Sequence, residues 1–274
     1  VGSYTIVDAV KQLRDDPMVR SVVLRIESPG GATTASDVMW RELSLLAKQK
    51  PLIVSMGTVA ASGGYYIASA GREIFAEPLT TTGSIGVFYG KADVSGLLKM
   101  VGVNVETYKS SPHADVDSYF RGFTPDERAR AQEMIERVYG TFLDRVSQSR
   151  HLSKEQIDAV GRGRVWSGQE AYERHLVDHL GGLREALQEA RALGGLPADS
   201  PIQEVPKVEK SLLETALDLA GIDVKASALG TLNGLPLQVK DVARALAPMV
   251  IYPDHTPLER MEWVPVEDTV GVDP

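Results

Sequence analysis

The stretch that decides the fold is Pro51–Gly71, PLIVSMGTVAASGGYYIASAG, the longest run of the chain without a charged residue. Its 21 residues would be long enough to cross a membrane. However, it holds four glycines, three serines, a threonine and a proline, and only about half of it is apolar. This composition favours a buried strand, a turn and a helix over a membrane span. We therefore predict a strand over Leu52–Met56 and a short helix over Ala61–Ala70.

The segments on either side of this stretch alternate between strand and helix patterns. Val19–Ile26 has the residues of a buried strand, and Thr34–Lys48 carries apolar residues at helical spacing. Strands that alternate with helices at this spacing are typical of βαβ units, so we expect an α/β fold with a mostly parallel sheet. The remaining predictions are helices over Ser3–Asp16, Val94–Met100 and Leu183–Leu193, strands over Glu73–Ala76, Gly86–Phe88 and Val103–Tyr108, and a loop over Thr80–Gly83.

Three helix starts carry a capping box, in which Ser or Thr is followed three residues later by Glu or Gln. The first predicts a long helix that ends near Ser149, and the other two predict shorter helices. The three pairs are Thr124 with Glu127, Ser153 with Gln156, and Ser167 with Glu170.

Composition excludes several classes of function. The chain has 29 Lys and Arg against 37 Asp and Glu, a formal net charge of −8, which disfavours a general nucleic-acid binder. The absence of Cys excludes disulfides, thiolate nucleophiles and Cys-ligated metals. His175 and His179 have the spacing of a metal pair, but they stand at a helix end and are assigned a structural role. No metal and no cofactor are expected.

The distribution of proline predicts two parts. Nine of the 15 prolines lie in the last 78 residues. We interpret residues 1–195 as a compact domain and residues 196–274 as a Pro-rich extension with helices over Val208–Ala220 and Leu237–Leu246. Because the chain begins at Val1 and lacks a signal-peptide pattern, we expect it to be a fragment or a processed form.

A serine stands at the start of the predicted short helix, in the sequence Ala61-Ser62-Gly63-Gly64. A side chain at a helix N-terminus lies in the positive end of the helix dipole, and the N–H of Gly63 could point at a forming oxyanion. This arrangement indicates a nucleophile. In the alternative interpretation, Ser62 is only the helix N-cap and the glycines serve packing.

Two further loops follow strands of the same predicted sheet. Ser28-Pro29-Gly30-Gly31 could offer free N–H groups to an anion, and Thr80–Gly86 contains Ser84, which could hydrogen-bond a catalytic amine. The alternatives are an ordinary strand-to-helix turn and a threonine-rich turn. Because ligands bind beyond the carboxyl ends of parallel strands, we expect the glycine loop and Ser62 to face one cleft.

These motifs, in this order and spacing, resemble the signal peptide peptidase A (protease IV) family over about residues 1–195. The resemblance implies an α/β fold of the Clp-protease/crotonase type, a spiral of ββα units with a helical C-terminal part. It also implies a serine endopeptidase with a Ser–Lys dyad. The matching segments are Ser28–Gly31, Ser55–Ala68, Thr82–Val87, and Gly161–Gly168 followed by Leu176-Val177-Asp178 and Leu180-Gly181.

The resemblance also implies a role for each motif residue. Ser62 matches the nucleophile, and Gly31 and Gly63 match the two residues whose N–H groups form the oxyanion hole. Ser84 matches the serine that orients the lysine amine. Gly30 and Gly64 are expected to support the site.

The chain departs from the family at the lysine. Short members carry it a few residues after a Lys-Ser pair, at a position where this chain has Ala114. Long, tandem-repeat members split the dyad, with the lysine in the N-terminal half and the serine in the C-terminal half. We therefore interpret the chain as the C-terminal half of a long form, whose upstream half supplies the base. Lys91 and Lys109 are the nearest substitutes in sequence.

The resemblance implies remnant signal peptides and other unfolded apolar peptides as substrates, and a homo-oligomer. It implies a place at the bacterial inner membrane, facing the periplasm, through a segment absent from this chain, which is itself expected to be soluble. Two alternatives stay open. One is a catalytically inactive scaffold half, and the other is a crotonase-type acyl-CoA enzyme that uses carboxylates instead of a serine.

Overall fold

A computed structural model describes residues 2–206 of the chain. The described residues belong to two units, of which the larger is Val10–Ser200. The described part of the second unit is residues 2–9 and 201–206. The helices predicted over Val208–Ala220 and Leu237–Leu246 lie outside the described residues.

Strands and helices alternate through the first 83 residues, and helices dominate afterwards. The helices are α1 (Ser3–Asp15), α2 (Thr33–Ala47), α3 (Gly63–Ala68), α4 (Ser95–Met100), α5 (Pro125–Arg150), α6 (Lys154–Val160), α7 (Gly168–Glu173) and α8 (Leu183–Leu193). The strands are β1 (Val22–Ser28), β2 (Leu52–Ala61), β3 (Glu73–Ala76), β4 (Thr81–Gly83), β5 (Val165–Ser167) and β6 (His179–Leu180).

The centre of the sheet is β2, which pairs in parallel with three other strands. Along one edge it pairs with β1. Along the other edge, its first half pairs with β3 and its second half pairs with β4. Strand β6 extends the sheet in parallel beside β3, and β5 runs antiparallel to β4. The predicted α/β class with a mostly parallel sheet is confirmed, and the sheet is curled because β2 changes partners half-way.

Alternate residues of β2 face opposite helical layers, as the period of two in a strand requires. Ile53 belongs to a small core with Phe75 and two alanines of α8. Its neighbour Val54 belongs to the larger core, which α3, α5, α6 and α7 complete from the other side. Both residues are fully buried. Strand β2 has no charged residue because both of its faces are covered by helices.

Strand β2 contains a bulge between its two halves. Ile26 of β1 pairs with Met56, but Ser28 pairs with Ala60. Strand β1 thus advances by two residues while β2 advances by four. Extra residues in one strand bend it and increase its twist. The bend directs the end of β2 toward β4.

The three predicted capping boxes are confirmed at the starts of α5, α6 and α7. At α5, the Thr124 hydroxyl accepts a hydrogen bond from the Glu127 N–H at 3.3 Å, and the Glu127 carboxylate accepts one from the Thr124 N–H at 2.9 Å. These bonds satisfy amides that the first turn of a helix leaves without intrahelical partners. Helix α8 begins and ends at the predicted residues.

Two predicted strands are wrong. Gly86–Phe88 and Val103–Tyr108 have no regular structure. The Phe88 side chain is 97% exposed and that of Tyr108 is 90% exposed, so these residues do not have the burial that a strand pattern implies. An apolar run becomes a strand only where a sheet edge is free to pair with it.

The predicted strand for β2 was too short, and strands β4, β5 and β6 were not predicted. The predicted loop over Thr80–Gly83 contains β4, and the predicted end of β2 at Met56 falls five residues short. Gly57 and Thr58 look like a turn in the sequence, whereas they form the bulge inside a continuing strand. Strands β5 and β6 have three and two residues, which is too short for periodicity to detect.

Within residues 2–206, none of the helices combines the length and the apolar character needed to cross a membrane.

The Tyr65 side chain anchors α3 in the core through a buried hydrogen bond. Its ring is fully buried, and its hydroxyl donates a hydrogen bond of 2.7 Å to the Leu176 carbonyl, which is itself buried. We expect Tyr65→Phe to lower the free energy of unfolding by about 1–3 kcal/mol, because it leaves that carbonyl without a donor. Urea denaturation measures the change. The control is Tyr172→Phe, at a residue that is 44% exposed. If both variants lowered the free energy of unfolding equally, the Tyr65 hydroxyl would not have the stabilising role assigned to it.

Candidate functional site

Three loops that follow strands meet at Ser62. The end of β1 pairs with β2 through Ser28 and Ala60, which places the loop 29–32 beside the end of β2. The Ser62 N–H donates a hydrogen bond of 2.9 Å to the Gly83 carbonyl at the end of β4. Ser84 is therefore the residue after the one that binds the Ser62 backbone. The expectation that these loops face one place follows from the pairing of β1 and β4 with the same half of β2.

Ser62 has an unusual backbone conformation, with φ 51° and ψ −117°. Ser84 also has a positive φ, 49°. Such conformations cost a residue other than glycine of order 1–3 kcal/mol and cluster at functional sites. The Ser62 hydroxyl makes no capping hydrogen bond to α3. The alternative that Ser62 serves only as an N-cap therefore lacks its hydrogen bond.

The glycines around Ser62 are needed because two backbone segments pack directly on one another. A Cβ atom on Gly30, whose φ is +117°, would lie 2.7 Å from Ser62 Cβ and 2.9 Å from the Gly63 nitrogen. A Cβ atom on Gly63 would lie 2.5 Å from Ser36 Oγ and 3.1 Å from the Gly31 nitrogen. The glycine loop after β1 and the start of α3 are thus in contact.

Gly64 and Gly31 differ in what a side chain would meet. A Cβ atom on Gly64 would lie 2.9 Å from the Ser28 carbonyl oxygen, so Gly64 allows α3 to approach the end of β1. A Cβ atom on Gly31 would have no atom within 4 Å. The space beside Gly31 is open because the residue lines a cleft.

The amide groups of Gly31 and Gly63 are free to bind a ligand. Neither N–H donates to a backbone acceptor within residues 2–206. Both residues border the cleft that Ser62 borders. Two free backbone donors next to a hydroxyl have the composition of an oxyanion-binding site.

The cleft beside Ser62 has a volume of about 280 Å³ and is partly open to solvent. Residues of the start of α2 and of α5 line it, so elements distant in sequence enclose it. Its lining residues are Gly31, Thr33, Thr34, Ser36, Asp37, Val38, Ser62, Gly63, Tyr66, Gly86, Val87, Val138, Thr141 and Phe142.

Asp37 is the one carboxylate among the described residues that line the cleft. Its Oδ1 accepts a hydrogen bond of 2.6 Å from the Tyr66 hydroxyl, and Arg145 lies 3.5 Å away. Burial, together with the bond to Asp37, raises the pKa of Tyr66 to about 12, so the tyrosine stays a neutral donor. Sequence reasoning missed both residues. The available signal was the position of Tyr66 four residues after Ser62, which puts both on one face of a helix.

The cleft lining in the described part of the chain contains neither lysine nor histidine. The two candidate substitutes have other partners: Lys109 pairs with Asp115 at 3.0 Å, and Lys91 lies over the Phe123 ring at 4.6 Å. Ala114, at the position where short family members carry lysine, lies in an exposed turn. The residues described thus place Ser62 and two free amides together without a base.

Lys109 belongs to a charged cluster that joins the loop 109–122 to the start of α5. Arg121 donates hydrogen bonds of 2.7 Å to both Asp115 and Glu127. These bonds hold the pKa of the Asp115 carboxyl and that of the Glu127 carboxyl well below their usual range. His113 contacts the same cluster through Glu127 at 3.3 Å. The cluster therefore engages both Lys109 and His113.

Comparison with known proteins identifies the family. Residues 44–196 match peptidase family S49. The chain belongs to this family. It is 40% identical over 197 residues to Protease 4 of Salmonella typhi and 36% identical over 234 residues to the chloroplastic serine protease SPPA of Arabidopsis thaliana. The matched regions cover 72% and 84% of this chain but 32% and 34% of those proteins. The chain therefore spans about a third of the length of these curated relatives.

The family match confirms the resemblance to signal peptide peptidase A that the motifs indicated. Protease 4 of Haemophilus influenzae is also similar, with 37% identity over 204 residues, 74% of this chain and 33% of that protein. The match includes the end of β2, α3 and β4, and so contains Ser62, Gly63 and Ser84. Gly31 lies before the matched region.

Gly30 and Gly31 form a matched pair for testing the site. We expect Gly31→Val to lower any hydrolysis that depends on Ser62 by about 100-fold with little change in the urea midpoint, because the side chain enters an open cleft beside Ser62. Gly30→Ala should lower both the rate of hydrolysis and the urea midpoint, because its Cβ would lie 2.7 Å from Ser62 Cβ. Loss of stability in Gly31→Val equal to that in Gly30→Ala would contradict this division.

The Arg121 cluster predicts a dependence of stability on pH. Because Arg121 lowers the pKa of Asp115 and of Glu127 in the folded state, it stabilises the fold above their unfolded pKa values, about 4, and this contribution is lost as the pH falls. We expect Arg121→Ala to lower the urea midpoint at pH 7 and the deficit to narrow below about pH 4. Arg130→Ala, which breaks an exposed pair with Asp126, is the control. A deficit independent of pH would refute the prediction.

Proposed function

We propose that this chain supplies the nucleophile and the oxyanion hole of a serine endopeptidase with a Ser–Lys dyad. The observation that carries the proposal is the position of Ser62, strained and uncommitted to capping, on a cleft bordered by the free amides of Gly31 and Gly63. Membership of a peptidase family and the name "serine protease" of one relative support it.

In the proposed mechanism, the Ser62 hydroxyl attacks the carbonyl carbon of a peptide bond. A base takes the hydroxyl proton as the new C–O bond forms, and the carbonyl oxygen becomes an oxyanion. The N–H groups of Gly31 and Gly63 stabilise that negative charge. The proton passes to the leaving amine, and water then hydrolyses the acyl-enzyme ester.

The base is proposed to be a lysine from an upstream half of the same protein, oriented by Ser84. Two observations support this source: the described cleft residues include no lysine, and the long relatives are about three times the length of the matched region. Lysine acts as a base near neutral pH when burial lowers its pKa. The half-buried position of Ser84 next to fully buried Ile85 would provide such surroundings.

The proposed substrates are remnant signal peptides and other unfolded apolar peptides at the bacterial inner membrane, on its periplasmic side. We also propose a homo-oligomer, built on a Clp-protease/crotonase-like spiral of ββα units. Exposed apolar side chains between residues 88 and 101 support association with a further surface, because exposed apolar surface marks interaction sites. They include Phe88, Leu97, Met100 and Val101.

The crotonase-type alternative has less support from the cleft. Enzymes that rely on carboxylates there would need them free, whereas Asp37 is bound by Tyr66 and lies near Arg145. The inactive-scaffold alternative makes a different prediction from the split dyad, since it denies activity to the full-length protein as well.

The experiment compares the isolated chain with the full-length protein on an unstructured apolar peptide. We expect the isolated chain to be slower by roughly 10²–10⁴-fold or more, because it lacks the general base. Adding the upstream half should restore hydrolysis and the labelling of Ser62 by a serine-directed acylating probe.

Four variants of the full-length protein assign the roles. Ser62→Ala should abolish hydrolysis, and Ser84→Ala should weaken it by misplacing the amine. Lys91→Ala and Lys109→Ala are the matched controls and should stay active. Full activity of the isolated chain that survives both lysine substitutions would refute the split dyad, and an inactive full-length protein would favour the scaffold.

A further inference from the structure

Side chains bind the backbone of the bulge in β2, whose residues 57–59 have no register partner in β1. Four backbone groups between Met56 and Val59 each bind a side-chain atom. Glu27, the residue of β1 inside the register jump, provides two of these bonds. The bonds are Arg25 Nη1 to the Met56 carbonyl at 3.0 Å, Thr80 Oγ1 to the Gly57 carbonyl at 2.8 Å, the Thr58 N–H to Glu27 Oε2 at 2.8 Å, and the Val59 N–H to Glu27 Oε1 at 3.1 Å.

Glu27 supplies hydrogen-bond acceptors at the point where the register of β1 and β2 changes. Between the pairs Ile26–Met56 and Ser28–Ala60, one residue of β1 faces three residues of β2. The N–H groups of Thr58 and Val59 both face this residue, and both bind its side chain. The two oxygens of the carboxylate supply the acceptors, and a charged acceptor makes stronger hydrogen bonds than a carbonyl does.

Gly57 shows that the carboxylate and the bulge fit one another closely. A Cβ atom on Gly57 would lie 1.7 Å from Glu27 Oε2. The φ angle of Gly57 is not in the left-handed region, so its backbone alone does not require glycine. The closest obstacle to a side chain here is the carboxylate, and the nearest backbone atom is the Ile26 carbonyl oxygen at 3.1 Å.

The bulge lies between the two segments that carry the candidate site, the glycine loop after β1 and the end of β2 that leads to Ser62. One residue after Glu27, Ser28 pairs with Ala60 and begins the glycine loop that contains Gly31. Three residues after Val59, Ser62 binds the Gly83 carbonyl. The carboxylate therefore links the strand that delivers Gly31 to the strand that delivers Ser62.

We propose that Glu27 is a positioning residue, which sets the distance between the Gly31 N–H and the Ser62 hydroxyl by fixing the bulge of β2. The inference rests on the proposed function of those two groups. Without the carboxylate, Thr58 and Val59 turn their N–H groups to water, and the end of β2 is free to shift relative to the glycine loop. A shift of about 1 Å is enough to lower the rate of an enzyme by about 100-fold.

Steady-state kinetics of the full-length protein test the role. We expect Glu27→Ala to lower kcat by about 100-fold with little change in KM or in the unfolding temperature. The affinity for a peptide boronate, which forms a tetrahedral adduct with a serine, should fall in parallel with kcat/KM. Glu27→Gln keeps one acceptor oxygen and should lie between the two. The control is Glu133→Ala, which removes an exposed carboxylate of α5.

Gly57→Ala reaches the same contact from the other strand. We expect it to lower kcat strongly in the unmodified protein, because its Cβ displaces the carboxylate. In a protein that already carries Glu27→Ala, Gly57→Ala should lower kcat much less, because the carboxylate is already absent. Additive effects of the two substitutions would contradict the proposal.

Hydrogen exchange separates failure of this proposal from failure of the proposed function. Amide exchange in a peptide that covers residues 57–61 should be faster in Glu27→Ala than in the unmodified protein, whether or not the protein hydrolyses peptides. Unchanged exchange, or an unchanged kcat in a protein whose activity depends on Ser62, would overturn the role of Glu27. Faster exchange in a protein without Ser62-dependent activity would overturn the proposed function instead.

Discussion

The contact between the Glu27 carboxylate and the amides of Thr58 and Val59 lies where β2 exchanges β3 for β4 as its neighbour. Before that point, β2 is an ordinary buried strand between two helical layers. After it, the same strand runs into a tight junction with the glycine loop and β4. A straight β2 would keep its first partner and would not bring Ser62 to the Gly83 carbonyl. The curled sheet and the candidate site thus depend on one local irregularity.

The glycines and the strained Ser62 both result from the close packing of the glycine loop against the start of α3. Gly30 and Gly63 let two backbone segments approach until a single methyl group would clash, which leaves the amides of Gly31 and Gly63 beside one cleft. Ser62 accepts a positive φ because its N–H is fixed to Gly83 and its carbonyl to the Tyr66 N–H. In the proposed function, these donors are in place before any charge develops, which is how electrostatic stabilisation of a transition state becomes effective.

Sequence reasoning was strongest where one local rule decides the outcome. The capping boxes at Thr124, Ser153 and Ser167 were predictable because each involves only four consecutive residues. The bulge was not, because it depends on a carboxylate about 30 residues away in the chain. The same limit explains why Asp37 and the α5 wall of the cleft were missed, since they meet Ser62 only through tertiary packing. The motif residues themselves were identifiable because they stand in short glycine-rich or hydroxyl-rich loops after predicted strands, and the family resemblance then implied a role for each.

A structure of the full-length protein with a peptide boronate bound would show the site in its reacting geometry. We expect a covalent bond between boron and Ser62 Oγ, with one boronate oxygen within about 3 Å of both the Gly31 and the Gly63 nitrogen. We also expect a lysine from outside the described residues beside Ser84. A boronate attached elsewhere, or one whose oxygens all point away from these two amides, would show that Ser62 and the two amides do not form the proposed site.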